Sequence, residues 1–426
     1  MNLRAPRGTR DILPPSSDAW NNVEKRIKDI YFKANFREIR TPLFEETELF
    51  VRGVGGTTDI VEKEMYTFND KGGRSITLRP EGTAPVVRAY LEHKLYGQPQ
   101  PFKLFYFGPM FRYERPQAGR YRQHYQTGVE VLGGDAPLID AEVINLGIDI
   151  LKEFGLENYQ LHLNSIGCRE CRPKFEEELR KFFRKETICP DCTDRIERNP
   201  LRILDCKNST CGELKNRAPR IIDYLCGDCS SHFQEVQNLL QMMDIDFVID
   251  SSLVRGLDYY TRTAFEIKSS ELGAQDTILG GGRYDGLAEE LGGPRAPGMG
   301  FGLGLDRFIL MMEKSNKQGN IERPLDVYLI SIGDQEVQQA GWKLLCDLRA
   351  ADLAADMDFL SRSPKNQMKT ANRTGCRFSI IIGSRELETG VVQLKDMEQG
   401  TQLEVKITEI IPAIKGENRG GQESCS

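Results

Sequence analysis

The chain has 426 residues, 28% of them charged and 39% hydrophobic, with a net charge of -6. That is the balance of a globular protein with room for two or three domains. No apolar run is long enough to cross a bilayer, and the opening Met-Asn-Leu-Arg-Ala-Pro-Arg lacks the apolar core of a signal peptide; the expectation is a cytoplasmic protein with no membrane partner. The acidic balance excludes general coating of nucleic acid, which needs many phosphate contacts, while leaving room for local basic patches. Eleven cysteines in such a chain point to metal or catalytic thiols rather than disulfides.

From Ser16 to Ala34, Trp20, Val23, Ile27, Ile30 and Tyr31 fall near helical spacing, with Ser16 or Ser17 as the expected cap. Phe36 to Phe44 reads as a strand that Pro42 confines to an edge, an end or a subunit contact, because proline cannot donate to a central ladder. Thr77-Leu-Arg-Pro-Glu-Gly-Thr-Ala-Pro places Glu81 and Thr83 in a turn before a helix near Ala84. There they serve as an N-terminal cap or as partners for a ligand ammonium group.

Lys103 to Gly133 reads as two strands joined by an arginine-rich loop. On the second strand Gln126, Gly128 and Glu130 share one face, and Thr127, Val129 and Val131 the other; on the first, Arg112 and Glu114 share a face. A glycine between two hydrogen-bonding residues lets a ligand lie close to the backbone. The competing reading is an exposed hairpin with a solvated polar side.

Helical spacing returns from Ala136 to Phe154, and Gln160 to Asn164 reads as a strand. Composition then changes: eight of the eleven cysteines lie between Cys168 and Cys229, in a charged segment that buries little, with helical patterns at Lys174 to Arg184 and Cys229 to Met243. After this inserted segment, Asp246 to Asp250 reads as a strand, Leu253 to Ile267 is dense in polar and aromatic residues, and Leu279 to Leu287 is a tight turn. Gly298, Gly300, Gly302 and Gly304 alternate with Met299, Phe301, Leu303 and Leu305. One face of that strand is bare, a place for a flat ring beside Arg307 at the mouth of a helix. No Gly-Lys-Ser or Gly-Lys-Thr follows, so this is not a phosphate-binding loop. A hydrophilic linker from Glu313 to Pro324 leads to alternating strand and helix patterns at Asp326 to Ile332, Gln335 to Ala350, Pro364 to Thr374 and Phe378 to Gly383, then a hairpin from Val391 to Ile407.

Taken together, these stretches resemble the histidyl-tRNA synthetase family of class II aminoacyl-tRNA synthetases along nearly the whole chain. The resemblance is carried by Arg7-Gly-Thr-Arg-Asp, Thr41-Pro-Leu-Phe-Glu, Leu78-Arg-Pro-Glu-Gly-Thr-Ala, Phe111-Arg-Tyr-Glu-Arg-Pro, Arg255-Gly-Leu-Asp-Tyr-Tyr and Gly281-Gly-Arg-Tyr-Asp-Gly-Leu. The last two are particular to the family and its paralogues. An α+β fold is implied: an antiparallel-sheet class II catalytic domain over residues 1–165 and 245–320, and a C-terminal α/β anticodon-binding domain over 325–412. The helical cysteine-rich segment 166–244 is the inserted domain, and 413–426 is expected to be a disordered tail. The implied activity is ATP-dependent formation of histidyl-adenylate from L-histidine, then transfer to the 3′ end of histidine tRNA, with Mg2+ accompanying ATP and the chain acting as a homodimer.

Residue by residue, the resemblance implies that Glu81, Thr83 and Gln126 hold the amino group of histidine, that Glu130 and Tyr260 read its imidazole with Tyr259 beside them, and that Arg112 holds the α-phosphate. Arg255 would neutralise carboxylate and α-phosphate together, and Arg120 and Arg307 would bind the outer phosphates. Attack of a carboxylate on phosphorus needs no strong base, so alignment and well-placed cations should carry the catalysis. Arginine suits this because its planar fork stays charged and grips phosphate bidentately. Two positions depart from the family pattern: Asp306 stands where glutamate is more frequent, and His124 where an aromatic residue is common.

Cys168/Cys171, Cys189/Cys192 and Cys226/Cys229 are Cys-x-x-Cys pairs, and Cys206/Cys211 is a wider fourth. Paired thiolates at this spacing suit tetrahedral structural Zn2+, so four pairs can build two sites, with reduced thiols or a redox pair as the alternatives. Cys346, Cys376 and Cys425 stand alone. Lys365, Lys369 and Arg373 make an i, i+4, i+8 basic stripe, which the resemblance assigns to tRNA over a solvated face; Arg115 and Arg122 are the candidates at the acceptor end. Two other functions stay in view. A noncatalytic regulatory paralogue of histidine biosynthesis, the ATP phosphoribosyltransferase regulatory subunit, lacks the anticodon-binding part, and a zinc-dependent RNA-binding or redox module leaves Arg112, Arg255 and Arg307 unexplained.

Overall fold

The computed structural model describes residues 3–56, 58–117, 119–206, 208–269, 277–315 and 325–416. The chain divides into two units, Met1–Ile321 and Glu322–Ser426. In the first, helix α1 (Ser16–Lys33) turns Trp20, Val23, Ile27 and Tyr31 inward as their spacing predicts, but Pro15 sits at its cap and no serine side chain caps it. The strand expected from Phe36 to Phe44 is divided around Pro42 into β1 (Arg37–Glu38) and β2 (Phe44–Glu46), which join different sheets. Then come α2 (Thr47–Val54), β3 (Tyr66–Asn69), β4 (Ser75–Leu78) and α3 (Thr83–Glu92). The arginine-rich hairpin is β5 (Phe102–Phe111) and β6 (Gln123–Leu132), followed by α4 (Pro137–Glu153) and β7 (Gln160–Ser165).

The cysteine-rich segment folds as α5 (Cys171–Phe183), α6 (Pro190–Arg198), α7 (Ser209–Lys215) and α8 (Gly227–Met242). It has a small core of its own, with Phe175, Leu179, Phe183 and Ile203 buried against Cys192 and Cys211, so it buries more than its charge suggested. The large sheet resumes with β8 (Phe247–Ile249), β9 (Thr261–Lys268), β10 (Thr277–Arg283), α9 (Leu287–Glu290), β11 (Gly298–Gly304) and α10 (Leu305–Lys314). The glycine run expected as a tight turn at Leu279 is instead the end of β10. A side chain at Gly281 would collide with the Gly300 carbonyl of β11, so glycine is there to let two strands close up.

Eight strands form one sheet in the order β1-β5-β6-β11-β10-β9-β7-β8, and β2-β4-β3 form a small second sheet. The central pairings are antiparallel, while β1 on β5 and β8 on β7 are parallel edges. Period-two alternation sorts the side chains between two layers. Phe105, Val129, Val131, Met299, Phe301 and Leu303 face the core made with α1, α4 and α10; Leu104 and Tyr106 face the opposite layer with Val86, Val87 and Tyr90 of α3.

A buried ion pair between β10 and α4 also receives a histidine from the inserted segment. Arg283, fully buried at the end of β10, donates to Asp140 of α4 through Nε at 3.0 Å and to the Gly134 carbonyl at 2.9 Å, while His232 of α8 meets Asp140 from the other side at 2.8 Å.

The second unit contains β12 (Val327–Ile332), α11 (Gln335–Ala350), β13 (Ala355–Met357), α12 (Pro364–Arg373), β14 (Phe378–Gly383), α13 (Ser384–Thr389), β15 (Val391–Asp396), β16 (Gln402–Lys406) and α14 (Ile410–Lys415). Its sheet runs β13-β12-β14-β15-β16, parallel across the first three strands and antiparallel thereafter. Residues 413–415, expected in a disordered tail, belong instead to α14, which buries Ile410 and Ile414. Residues 417–426, with Cys425, and linker residues 316–324 lie outside the described residues.

Asp140→Ala leaves Arg283 buried without its closest counter-charge. The expected loss is about 3 kcal/mol, measured by urea denaturation.

Candidate active site

A cleft of about 520 Å³ opens over the α3 side of the large sheet. Nine of the residues singled out from the sequence line it: Glu81, Thr83, Arg112, Arg120, Gln126, Arg255, Tyr259, Tyr260 and Arg307. They come from the start of α3, the β5–β6 hairpin, the loop before β9 and the start of α10. Glu130 is the exception, 1% exposed and beneath the lining.

The floor explains that difference. Register sets Glu130 opposite Gly300 and Gln126 opposite Gly304, and the two side chains lie over the bare face of β11, where side chains at Gly300 and Gly302 would strike Glu130 and Gln126. The face expected to receive a flat ring is therefore partly filled from within, and stays open at Gly304. Gly128 also serves a neighbour: Tyr106, its partner on β5, lays its hydroxyl where a Cβ would be, and that hydroxyl accepts from Gln126 Nε2 at 2.8 Å. Thr83 donates to Glu130 at 2.7 Å, and Tyr284 donates to the other carboxylate oxygen. Glu81 accepts from the backbone N–H groups of Thr83 at 2.6 Å and Ala84 at 2.9 Å, capping α3, and the Tyr259 hydroxyl reaches it at 3.4 Å. Of the two, Glu81 does the capping, whereas Thr83 caps nothing.

At the other end arginines are held by acids. Arg255 donates to Glu266 at 2.6 Å and lies over Gly280, with its Nε buried and without a partner among the described residues. Arg112 is anchored by the Pro80 carbonyl at 2.8 Å, and Glu114 sits between it and Arg120. Arg307 donates to the Thr277 carbonyl at 3.0 Å and packs under Gly119, whose φ of 71° only glycine adopts easily. Asp306 accepts from Arg10 at 2.8 Å and from the Tyr125 N–H at 2.7 Å, so its side chain ties the N-terminal segment to β6. The strand pattern places Glu114 beside Arg112 but gives it no role, and Tyr106, Tyr284, Glu266 and the lining residue Asp205 were not foreseen; of these four, Tyr284 alone lies inside a quoted motif, that of Gly281.

Burial pushes the Glu130 carboxyl up to about 8 despite the hydrogen bonds from Tyr284 and Thr83, and burial raises Glu81 as well. Burial and then Arg112, Arg307 and Arg120 push His124 down to about 3. It is a neutral ring at physiological pH, which preserves the uncharged aromatic character of the position.

In the inserted segment the thiols gather as Cys168, Cys171, Cys226 and Cys229, and as Cys189, Cys192, Cys206 and Cys211, the sulfurs of each set within 4.8 Å of one another. First pair meets last, and second meets third. Sulfur separations of 3.6 Å (Cys168 to Cys171), 3.9 Å (Cys168 to Cys226) and 3.8 Å (Cys189 to Cys206) are too long for disulfides. They match the edge of a tetrahedron with Zn–S bonds of about 2.3 Å, about 3.8 Å. Of the basic candidates, Lys365, Lys369 and Arg373 form an exposed face of α12 opposite buried Gln367 and Ala371. Arg115 is exposed, and Arg122 stacks on Tyr113 at 3.7 Å.

Residues 8–308 match the family described as Histidyl-tRNA synthetase. The chain belongs to the histidyl-tRNA synthetase family. Residues 326–417 match the anticodon binding domain. A histidine-tRNA ligase of Halothermothrix orenii is 54% identical over 417 residues, covering 97% of this chain and 99% of that one, and one of Desulforamulus reducens is 53% identical over the same length. The apo S. aureus histidyl-tRNA synthetase structure superposes with a TM-score of 0.83 at 41% identity, covering 97% of this chain and all of that one. A Bacillus halodurans chain named as ATP phosphoribosyltransferase regulatory subunit/histidyl-tRNA synthetase, 20% identical with a TM-score of 0.64, shares the fold.

Because Glu130 titrates near 8 when folded against 4.5 as an ordinary carboxyl, the folded chain holds an extra proton between those values. Its contribution to stability is full below 4.5 and is lost as pH rises through 8. Thermal denaturation should show this decline in the wild type and not in Glu130→Gln; parallel curves would contradict it.

Proposed function

We propose that the chain is a histidine-tRNA ligase, which joins L-histidine to ATP as histidyl-adenylate, releases pyrophosphate, and transfers the histidyl group to the 3′ end of histidine tRNA. The observation that carries the reading is one cleft holding Arg112, Arg120, Arg255 and Arg307 beside a network of Glu81, Thr83, Glu130 and Tyr284. An arginine fork with a buried unpartnered N–H awaits an oxyanion.

In this reading the histidine ammonium lies against Glu81, Thr83 and Gln126. Glu130 and Tyr260 read the imidazole, with Tyr259 fixing Glu81. In the protonated form that burial favours, the Glu130 carbonyl oxygen still accepts more than one hydrogen bond, so an imidazole N–H joins Thr83 and Tyr284 on the carboxyl without displacing them. Arg255 draws the histidine carboxylate and the α-phosphate together, and Arg112 holds the α-phosphate for in-line attack. Arg120 and Arg307 take the outer phosphates. No base is needed; the rate comes from alignment and from cations already in place where charge accumulates. Mg2+ brought with ATP would neutralise phosphate charge, and the Glu114 and Glu266 carboxylates in the lining are the hard donors it prefers.

The reading further places the chain in the cytoplasm as a homodimer, supported by exposed Leu43, Phe44 and Phe68 around the small sheet. The anticodon stem is met by Lys365, Lys369 and Arg373, and the acceptor end by Arg115 and Arg122. The two thiol sets would hold structural Zn2+, each offering four sulfur donors. Elemental analysis of freshly reduced protein should find about two zinc ions per chain; metal-free protein would contradict this.

The enzyme reading is tested by histidine-dependent exchange of pyrophosphate into ATP. The wild type should exchange, and Arg255→Ala should lose roughly 10²- to 10³-fold in rate. Replacing Lys365, Lys369 and Arg373 together by alanine should leave exchange intact and weaken tRNA charging about tenfold at physiological salt. Well-folded wild-type protein without exchange would overturn the reading.

A further inference from the structure

The set formed by Cys168, Cys171, Cys226 and Cys229 joins the entrance of the inserted segment to its far end. The residue that follows Cys171 turns back toward the cleft. Arg172 donates through Nη2 to the Tyr260 carbonyl, through Nη1 to the Asp258 carbonyl at 3.4 Å and through Nε to the Ile166 carbonyl at 3.4 Å. The backbone it holds, residues 254–260, has no helix or strand, yet carries Arg255, Tyr259 and Tyr260. Asp258 N–H is tied to the Val54 carbonyl at 3.0 Å on one side, and past Tyr260 the Arg262 N–H is tied to the Gly167 carbonyl at 2.8 Å, at the edge of the thiol turn.

The thiol turn in its turn fixes Arg172. The Arg172 N–H donates to the Cys168 carbonyl at 3.1 Å, Glu170 N–H points at the Cys168 sulfur at 3.4 Å, and Cys226 N–H points at the Cys171 sulfur at 3.1 Å.

We propose that this tetrathiolate centre is a clasp for histidine recognition. By fixing the first turn of α5 it holds the Arg172 fork on the Asp258 and Tyr260 carbonyls, and so sets the position of Tyr259, Tyr260 and Arg255 over the bound amino acid. Arg172 is thus a positioning residue that touches no substrate. A lysine offers one point charge and cannot span three carbonyls. The inference rests on the zinc reading for the centre and adds a consequence at the cleft: a metal bound well away from the reacting atoms tunes affinity for histidine more than for ATP, whose outer phosphates are held by Arg120 and Arg307 from other segments.

The test is pyrophosphate exchange by full-length Arg172→Lys, with histidine and ATP titrated separately and zinc content measured on the same preparation. The expected result is wild-type zinc content, a KM for histidine raised about tenfold and a KM for ATP within about twofold. Chelation of the wild type should raise the histidine KM in the same direction and add little in Arg172→Lys, because both act through one contact. A zinc-loaded Arg172→Lys enzyme with wild-type histidine KM overturns the clasp and leaves the zinc reading standing. Wild-type protein isolated without zinc overturns both.

Discussion

Backbone packed against bare backbone at the centre of the sheet is the constraint on which the rest of the cleft depends. Gly280 and Gly282 of β10 face Gly302 and Gly300 of β11, and these in turn face Gly128 and Glu130 of β6. Side chains from the flanking positions can then lie flat: Glu130 over Gly300, Gln126 over Gly302, Tyr106 over Gly128 and Arg255 over Gly280. Any Cβ in this strip would lift a functional group off the floor. The same flatness buries Glu130 among hydroxyl donors and holds its carboxyl near 8, a group desolvated in advance of binding.

From that floor the cleft divides chemically. One end is built of carboxyls, hydroxyls and an amide that are mutually hydrogen-bonded before any ligand arrives. The other is built of guanidinium groups whose charges are partly met by Glu114 and Glu266. Forks oriented in advance by those acids would meet phosphate oxygens with little reorganisation. The inserted segment belongs to this design through Arg172 and Asn199 behind the Tyr259–Tyr260 loop, and through Asp205, next to Cys206, in the lining.

Much of this was legible in the sequence because it is local. Period two sorted Val129 and Val131 from Glu130 and Gln126, the spacing of Trp20 to Tyr31 found α1, and the motif segments led to nine residues of one cleft. What escaped depends on register between distant strands. Nothing in the sequence says that Tyr106 lies opposite Gly128 or that Tyr284 reaches Glu130, so Gly128 reads as room for a ligand when it is room for a tyrosine. The Gly281 run reads as a turn because glycine marks turns locally, whereas here it answers the approach of β11. Four thiol pairs have no sequence signal for partner choice; the crossing of first with last follows from where the helices of the inserted segment place its two ends.

The central claim is that the buried hydrogen-bonding groups lying on this glycine floor select an imidazole. It is tested most directly by comparing L-histidine with L-thienylalanine, similar in shape but without ring N–H, in pyrophosphate exchange. A site whose buried partners would be left unpaired should favour histidine by roughly 10⁴-fold in kcat/KM. Discrimination of tenfold or less, the order that shape alone provides, would contradict the account.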